Sequence, residues 1–303
     1  MSSEWLEARV GRDGRTGRFA NDPAGIEALA GWCRQAGVGL VAMEATGGYE
    51  KRPFALLWGR GIPSAIANPR AVRRFAEGMG LFEKTDRIDA GVIAWYAEVK
   101  RLKPCEPASE AQAHLAALVT RLRQLTELRT AQMNQRRLVT DPTVGRGFEE
   151  MLGLIARQIG SIETEVAERI AGDPVWRKLD EAFRTIKGVA DRTVARLMAE
   201  LPEIGTLSGK AVAKLVGLAP IANDSGKRTG NRPVRGGRTT VRAVLFVVAE
   251  IVRRYVPDFA AFHQRLRDAG KPPKVVRIAL AHKLLLRLNA KARDARHQLT
   301  AIA

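Results

Sequence analysis

Residues 38–43, Val-Gly-Leu-Val-Ala-Met, form a short unbroken apolar run that ends in a carboxylate, Glu44. A run this short, with no polar alternation, suits a β-strand covered on both faces, as in a sheet flanked by helices. A carboxylate at the C-terminal end of such a strand stands where open α/β sheets place their sites; a strand-end Glu facing water is the plainer reading. The flanking sequence builds the rest of a small α/β domain. Trp5 to Val10 and Arg15 to Ala20, joined across Gly11–Gly14, read as a hairpin. Pro23, with Asn21 and Asp22 as cap candidates, opens a helix to about Gln35, and Ile26, Leu29, Ala30 and Cys33 recur along it at helical spacing. Tyr49 to Arg60 reads as a helix, Ile62 to Ala67 as a second short strand, and Pro69 to about Glu77 as a third helix. Strand and helix therefore alternate around a small sheet through residues 1–104.

Gly78 and Gly80 break the chain before Lys84–Ala90, which reads KTDRIDA. Its two carboxylates, Asp86 and Asp89, are three residues apart, and a helix running on to about Arg101 puts both on one face. Two bare carboxylates that close repel unless a cation lies between them, and Arg87 points off the shared face. Hard oxygen ligands suit Mg²⁺ or Mn²⁺, and Mg²⁺ usually takes one or two carboxylates plus substrate phosphates. The alternative is a solvated helix N-terminus, where Asp is favoured in any case. Glu44, Asp86 and Asp89 are placed to converge at one end of the sheet.

Pro104 and Pro107 mark a boundary. Beyond it Leu115, Leu118, Leu122 and Leu125, and after a turn at Asp141–Gly147 also Leu152, Ile155, Ile159, Ile162 and Val166, step by three and four. This predicts an antiparallel helical hairpin over residues 105–172, either a spacer or self-association element or an ordinary core pair. Residues 173–303 are strongly basic. From Leu207 onward 20 Lys and Arg face 5 Asp and Glu, which is +15 of the chain's net +18. That block predicts a polyanionic partner, with nucleic acid the default. Lys187-Gly188 before a helix start can hold a backbone phosphate, or be a plain helix start. The stretch NDSGKRTGNRPVRGGRTTVR at Asn223–Arg242 sets Ser225 among glycines and bases, and Gly226, Gly230, Gly236 and Gly237 would let backbone approach a phosphate. After Arg242 the chain is helical again, and Val275 to Leu288 is an amphipathic helix. Cys33 and Cys105 are the only cysteines, with no C-x-x-C, so a structural zinc site is not expected and a reducing cytoplasm is the natural setting. No apolar run approaches the length of a membrane span, and no signal peptide is visible.

MEATGGYE at Met43–Glu50, NPRAVRRFAEGMG at Asn68–Gly80, KTDRIDA, IKGVADRTVARLMAELP at Ile186–Pro202 and KLVGLAPIANDSGKRTGNRPVRGGRTTVRAVL at Lys214–Leu245 come in an order and spacing that resembles the DEDD transposases of bacterial insertion sequences. This is the insertion-sequence one-ten family of bridge-RNA-guided recombinases. The resemblance covers nearly the whole chain. It implies a RuvC-like (ribonuclease H type) α/β N-terminal domain, a coiled-coil insertion and a mainly α C-terminal transposase domain. By that resemblance Glu44, Asp86 and Asp89 are catalytic and metal-binding members of an acidic tetrad that holds Mg²⁺ or Mn²⁺, and Ser225 is the nucleophile. Lys187, Lys227, Arg228, Arg232, Arg235, Arg238 and Arg242 would contact nucleic acid. The implied partners are DNA, a noncoding bridge RNA and further copies of the chain, as a dimer or tetramer, in the bacterial cytoplasm at the nucleoid. A DEDD site-specific DNA invertase and a catalytically dead nucleic-acid binder are the alternatives.

One departure stands out. The family's first Asp lies on the first strand of the sheet, in a pattern like G-I-D-V-S, and Met1 aligns with the valine that follows it. The expectation is a tetrad short of one carboxylate and a sheet short of one strand. Met1 would then be an alternative or misassigned start, read from a GUG codon.

Overall fold

In the computed structural model, residues 2–83, 86–226, 228–230 and 232–301 are described, and of Asp86, Arg87, Arg228 and Thr229 the backbone alone. Met1, Lys84 and Lys227 lie outside the described residues. The chain divides into two compact units, Met1–Ser109 and Glu110–Ala303.

The first unit opens with the expected hairpin, β1 (Trp5–Arg9) and β2 (Thr16–Ala20), antiparallel with Leu6 opposite Phe19. Helix α1 (Pro23–Gln35) starts where the sequence indicates, because the Asp22 carboxylate accepts from Gly25 N–H at 2.7 Å. Strand β3 (Val41–Glu44) is shorter than the apolar run. Val38 N–H donates to Cys33 O at 3.0 Å, so the first residues of the run close α1. It is also less covered than expected: of its four residues Met43 alone is buried. After α2 (Lys51–Gly59), β4 (Ser64–Ala67) pairs with β3 in parallel, with Glu44 opposite Ala67. Then come α3 (Pro69–Gly78) and α4 (Asp86–Lys100). Among the described residues β1–β2 and β3–β4 are separate two-stranded sheets. Helix α4 packs against both β1 and β3. The core beneath them is Leu6, Ile26, Leu29, Met43, Phe54 and Leu57. Leu57 is fully buried, so Leu57→Ala should cost about 2–5 kcal/mol. A urea midpoint that does not move would contradict this packing.

The second unit begins with the hairpin α5 (Glu110–Arg136) and α6 (Pro142–Gly172). The turn lies earlier than Asp141–Gly147, and Gly145 and Gly147 are helical. Asp141 is already the cap of α6, accepting from Thr143 and Val144 N–H at 2.8 and 2.9 Å, with Pro142 pre-set for the first turn. Leu122, Leu125, Ile155 and Ile159 form the hairpin's own seam. Its base is built differently: Leu115, Val119, Val166 and Ile170 enter the core of the C-terminal helices. These are α7 (Pro174–Arg184), α8 (Asp191–Glu200), α9 (Gly209–Val216), α10 (Thr239–Tyr255), α11 (Pro257–Asp268) and α12 (Pro273–Thr300). Between α9 and α10 lies a minimal hairpin, β5 (Asp224–Ser225) with β6 (Arg228–Thr229).

Helix α12 is longer than the amphipathic stretch read from the sequence, because it packs against α7, α9, α10 and α11. Its buried Asn289 accepts from Gly205 N–H at 2.8 Å and donates to Leu207 O at 3.0 Å. Asn289→Leu would strand both main-chain groups, and we expect it to lower stability by about 1–3 kcal/mol. An unchanged melting temperature would contradict that role. No helix among the described residues is long and apolar enough to cross a membrane.

Candidate nucleic-acid active site

Glu44 is the last residue of β3, and the chain then turns sharply through Gly47 and Gly48, both at positive φ. The turn is held from within: the Glu50 carboxylate accepts from Thr46 N–H at 3.0 Å and Gly48 N–H at 2.9 Å. So Glu50 of the MEATGGYE stretch fixes the turn that follows Glu44, a contact the sequence motif did not reveal. Asp89 lies in the first turn of α4. The structure brings Glu44 and Asp89 to one cavity of about 550 Å³, which Thr46 and Arg9 also line. Asp86 begins the same helix one turn earlier, and its side chain lies outside the described residues.

A divalent cation suits this donor set. Two carboxylates share one cavity, and the Thr46 hydroxyl beside them is buried without a hydrogen-bond partner, so the wall offers hard oxygen donors of the kind a divalent cation takes. Among the described residues no group of three His, Cys, Asp or Glu side chains is close enough to form a complete cage.

In the second unit Ser225 is exposed at the end of β5, opposite Arg228 and beside Gly226 at φ 54°. A β-carbon on Gly226 would meet nothing within 4 Å, so this glycine serves the turn itself and leaves the approach open. Asp224 anchors the loop, accepting from Gly230 N–H at 3.2 Å and from Arg232 at 2.7 Å.

The other glycines and several of the basic residues have inward roles. A β-carbon on Gly237 would come within 2.3 Å of Gly217 N, and one on Gly230 within 2.3 Å of Asn223 O. Both are glycine for close approach inside the protein. Gly188, at φ 100°, sits against the α10 backbone at Val252 for the same reason. Arg238 grips the Glu203 carboxylate with two bonds of 2.5 Å and donates to Glu200 O at 2.9 Å. Arg242 donates to Gly217 O at 3.1 Å and Gly236 O at 2.6 Å. These two arginines, expected on nucleic acid, shape the loop that carries Ser225. Lys187 and Arg235 are exposed; Lys227 and the Arg228 side chain lie outside the described residues.

Burial works to raise the Glu203 pKa, and the Arg238 bonds more than offset it, so the carboxyl titrates below its usual value. A depressed folded pKa contributes stability that is present above the unfolded pKa and is lost as pH falls through the folded one. Glu203→Gln should therefore cost roughly 1–2 kcal/mol at neutral pH, discounted for partial exposure. The cost should vanish in acid. Urea titrations at about pH 7 and about pH 3 check it; an equal loss at both would contradict the ion-pair account.

Comparison with known proteins agrees with the sequence resemblance. Residues 9–141 match a transposase family model of the DEDD, IS110 type, and residues 180–264 match the "Transposase IS116/IS110/IS902 family". Two curated relatives, each a "Pilin gene-inverting protein", from Moraxella lacunata and Moraxella bovis, are each 27% identical over 252 residues, 80% of this chain and 76% of theirs.

Proposed function

We propose that this chain, which belongs to the IS110 family of transposases, exchanges DNA strands by pairing the first-unit carboxylates of one copy with the Ser225 hydroxyl of another. The observation that carries the reading is the convergence of Glu44 and Asp89, from separate elements, on one cavity. Glu44, Asp89 and Asp86 would hold Mg²⁺ or Mn²⁺. When bound, the ion supplies charge to a scissile phosphate and to the departing oxygen.

Ser225 Oγ attacks phosphorus, loses its proton and forms a phosphodiester with one DNA end. The P–O bond to the other end breaks, and that oxygen takes up a proton. The bond energy is kept, so a new DNA hydroxyl can displace the serine and restore a continuous strand. Asp224, tied to Gly230 and Arg232, holds the hairpin on which Ser225 is displayed. Exposed Arg235 and Lys187 are suited to phosphate neutralisation. A bridge RNA would choose sequence by base pairing, with the protein reading RNA shape and backbone. The apolar side chains exposed at the far end of the hairpin, Leu138 and Val144 among them, support assembly into a dimer or tetramer.

A second reading is site-specific inversion of a fixed segment, favoured by the two pilin gene-inverting relatives. An assay on DNA spanning the gene's own flanking junctions, with and without ribonuclease, tests both. Exchange that depends on co-purified RNA supports guided transposition, and exchange indifferent to ribonuclease supports inversion. No metal-dependent exchange in either arm would contradict both.

Nucleic-acid affinity should reside mainly in the region after Leu207. Neutralising phosphates makes log K fall with log[salt], by a slope of about 0.7 to 0.9 per contact. A flat salt response would contradict this.

A further inference from the structure

We infer that a pocket of about 450 Å³ between α10, α11 and the start of α12 takes one unpaired nucleotide of a single-stranded nucleic acid, with its flanking phosphates on Arg254 and Lys274 and its base against Phe246. The inference rests on the reading of this chain as acting on nucleic acid, and it adds a binding site apart from the loop that carries Ser225.

Three elements bring the side chains together. Phe246, Glu250 and Arg254 step by four along α10 and so share one face. Arg254 lies roughly 22 Å along that helix from Thr239, where the Ser225 loop ends, at about 1.5 Å per residue. His263 comes from α11, and Lys274 and Arg277 come from α12.

The pocket carries positive charge that the fold does not use. Glu250 is the one carboxylate among its described lining residues. Arg253, outside the pocket, donates to that carboxylate from Nε at 3.0 Å, and this bond foremost holds the Glu250 carboxyl below its usual range. Arg277 Nε stands 4.0 Å from Glu250, too far for a hydrogen bond, and is buried with no partner. Among the described residues Arg254 and Lys274 have no carboxylate within 4.0 Å. Three permanent cations and an imidazole therefore face one carboxylate that is already engaged, an environment suited to phosphate oxygens.

The wall decides what the phosphate belongs to. A bare anion needs no aromatic surface, yet Arg277 is stacked on Phe246, its Cζ 4.6 Å from the ring centroid, with the arginine side chain 38% exposed. An aromatic ring and a guanidinium plane inside a basic pocket are the surfaces on which unpaired bases stack. A duplex keeps its bases within its own stack and presents phosphates on a convex face, so it cannot fill a concave site. An unpaired nucleotide enters with base and phosphate together.

The test uses the full chain and short probes of one sequence: an RNA strand, a DNA strand and the DNA duplex. Arg254 and Lys274 are exposed, so Arg254→Ala with Lys274→Ala leaves the core untouched. Single-strand affinity should fall about tenfold, and the slope of log K against log[salt] should flatten by about 1.4, at about 0.7 per single-strand contact. Phe246→Leu should weaken single-strand binding about fivefold or more with the slope unchanged, and duplex binding should stay within about twofold. Arg146→Ala with Arg157→Ala, which removes two exposed bases from α6, should change single-strand affinity by less than about twofold. The strand that shows the pocket-dependent loss, RNA or DNA, identifies the source. A loss in the charge pair alone would overturn the nucleotide in favour of a bare phosphate, and an equal loss in the α6 control would overturn the site. If the unaltered chain binds strands and duplex and neither pocket variant weakens the strands, the inference fails, the pocket takes another anion such as a protein carboxylate, and the nucleic-acid reading stands. If the unaltered chain binds no probe, both fail.

Discussion

Ser225→Ala should reduce DNA strand exchange by about 10³-fold or more while leaving nucleic-acid affinity within about twofold. The asymmetry follows from where Ser225 sits. It is exposed at the end of a two-residue strand, so removing its hydroxyl strands no buried partner and leaves the fold intact. It carries no charge, so the counterion release that dominates binding is unchanged. The whole loss should appear in chemistry, and in particular in covalent protein–DNA product. Ser225→Cys is the informative companion, keeping a nucleophile in a different size and softness. If Ser225→Ala still forms covalent product, Ser225 is a turn residue and another group is the nucleophile.

Asp89→Asn and Glu44→Gln should each lower metal-dependent exchange by at least about 10²-fold, because an amide offers one neutral oxygen where a carboxylate offers a charge. Both residues line the same cavity, so the double variant should lose little more than either single one, as residues acting as a unit do. Circular dichroism melting of each variant separates a loss of chemistry from a loss of fold. Glu50→Ala should give a milder loss with intact metal dependence, because Glu50 ties the turn behind Glu44 and does not line the cavity. Full activity of both carboxylate variants in Mg²⁺ would refute a metal role for them.

Much of the fold is legible in local chemistry. Asp22 followed by Pro23 marks the start of α1, and the three-and-four spacing from Leu115 to Val166 marks both long helices. Local chemistry fails where tertiary contacts decide. Val38 belongs to the apolar run, yet its N–H closes α1. Asp141 reads as turn sequence, yet it caps α6. The candidate site divides in the same way. Glu44 and Asp89 could be paired from their places at a strand end and a helix start. Arg238 and Arg242 could not be recognised as internal struts, because Glu203 and the Gly217 and Gly236 carbonyls are distant in sequence or carry no signature. Composition marks them as part of a basic block, and their internal bonds come to light only in the fold.

The most direct measurement is to map the covalent intermediate. The full chain, with its co-purified nucleic acid, would be incubated with Mg²⁺ and DNA spanning the gene's flanking junctions, quenched in denaturant, digested and analysed by mass spectrometry. The account predicts a nucleotide-bearing peptide containing Ser225 that appears with Mg²⁺ and disappears with chelator or in Asp89→Asn. Completed exchange with no protein adduct, or an adduct on a residue other than Ser225, would contradict it.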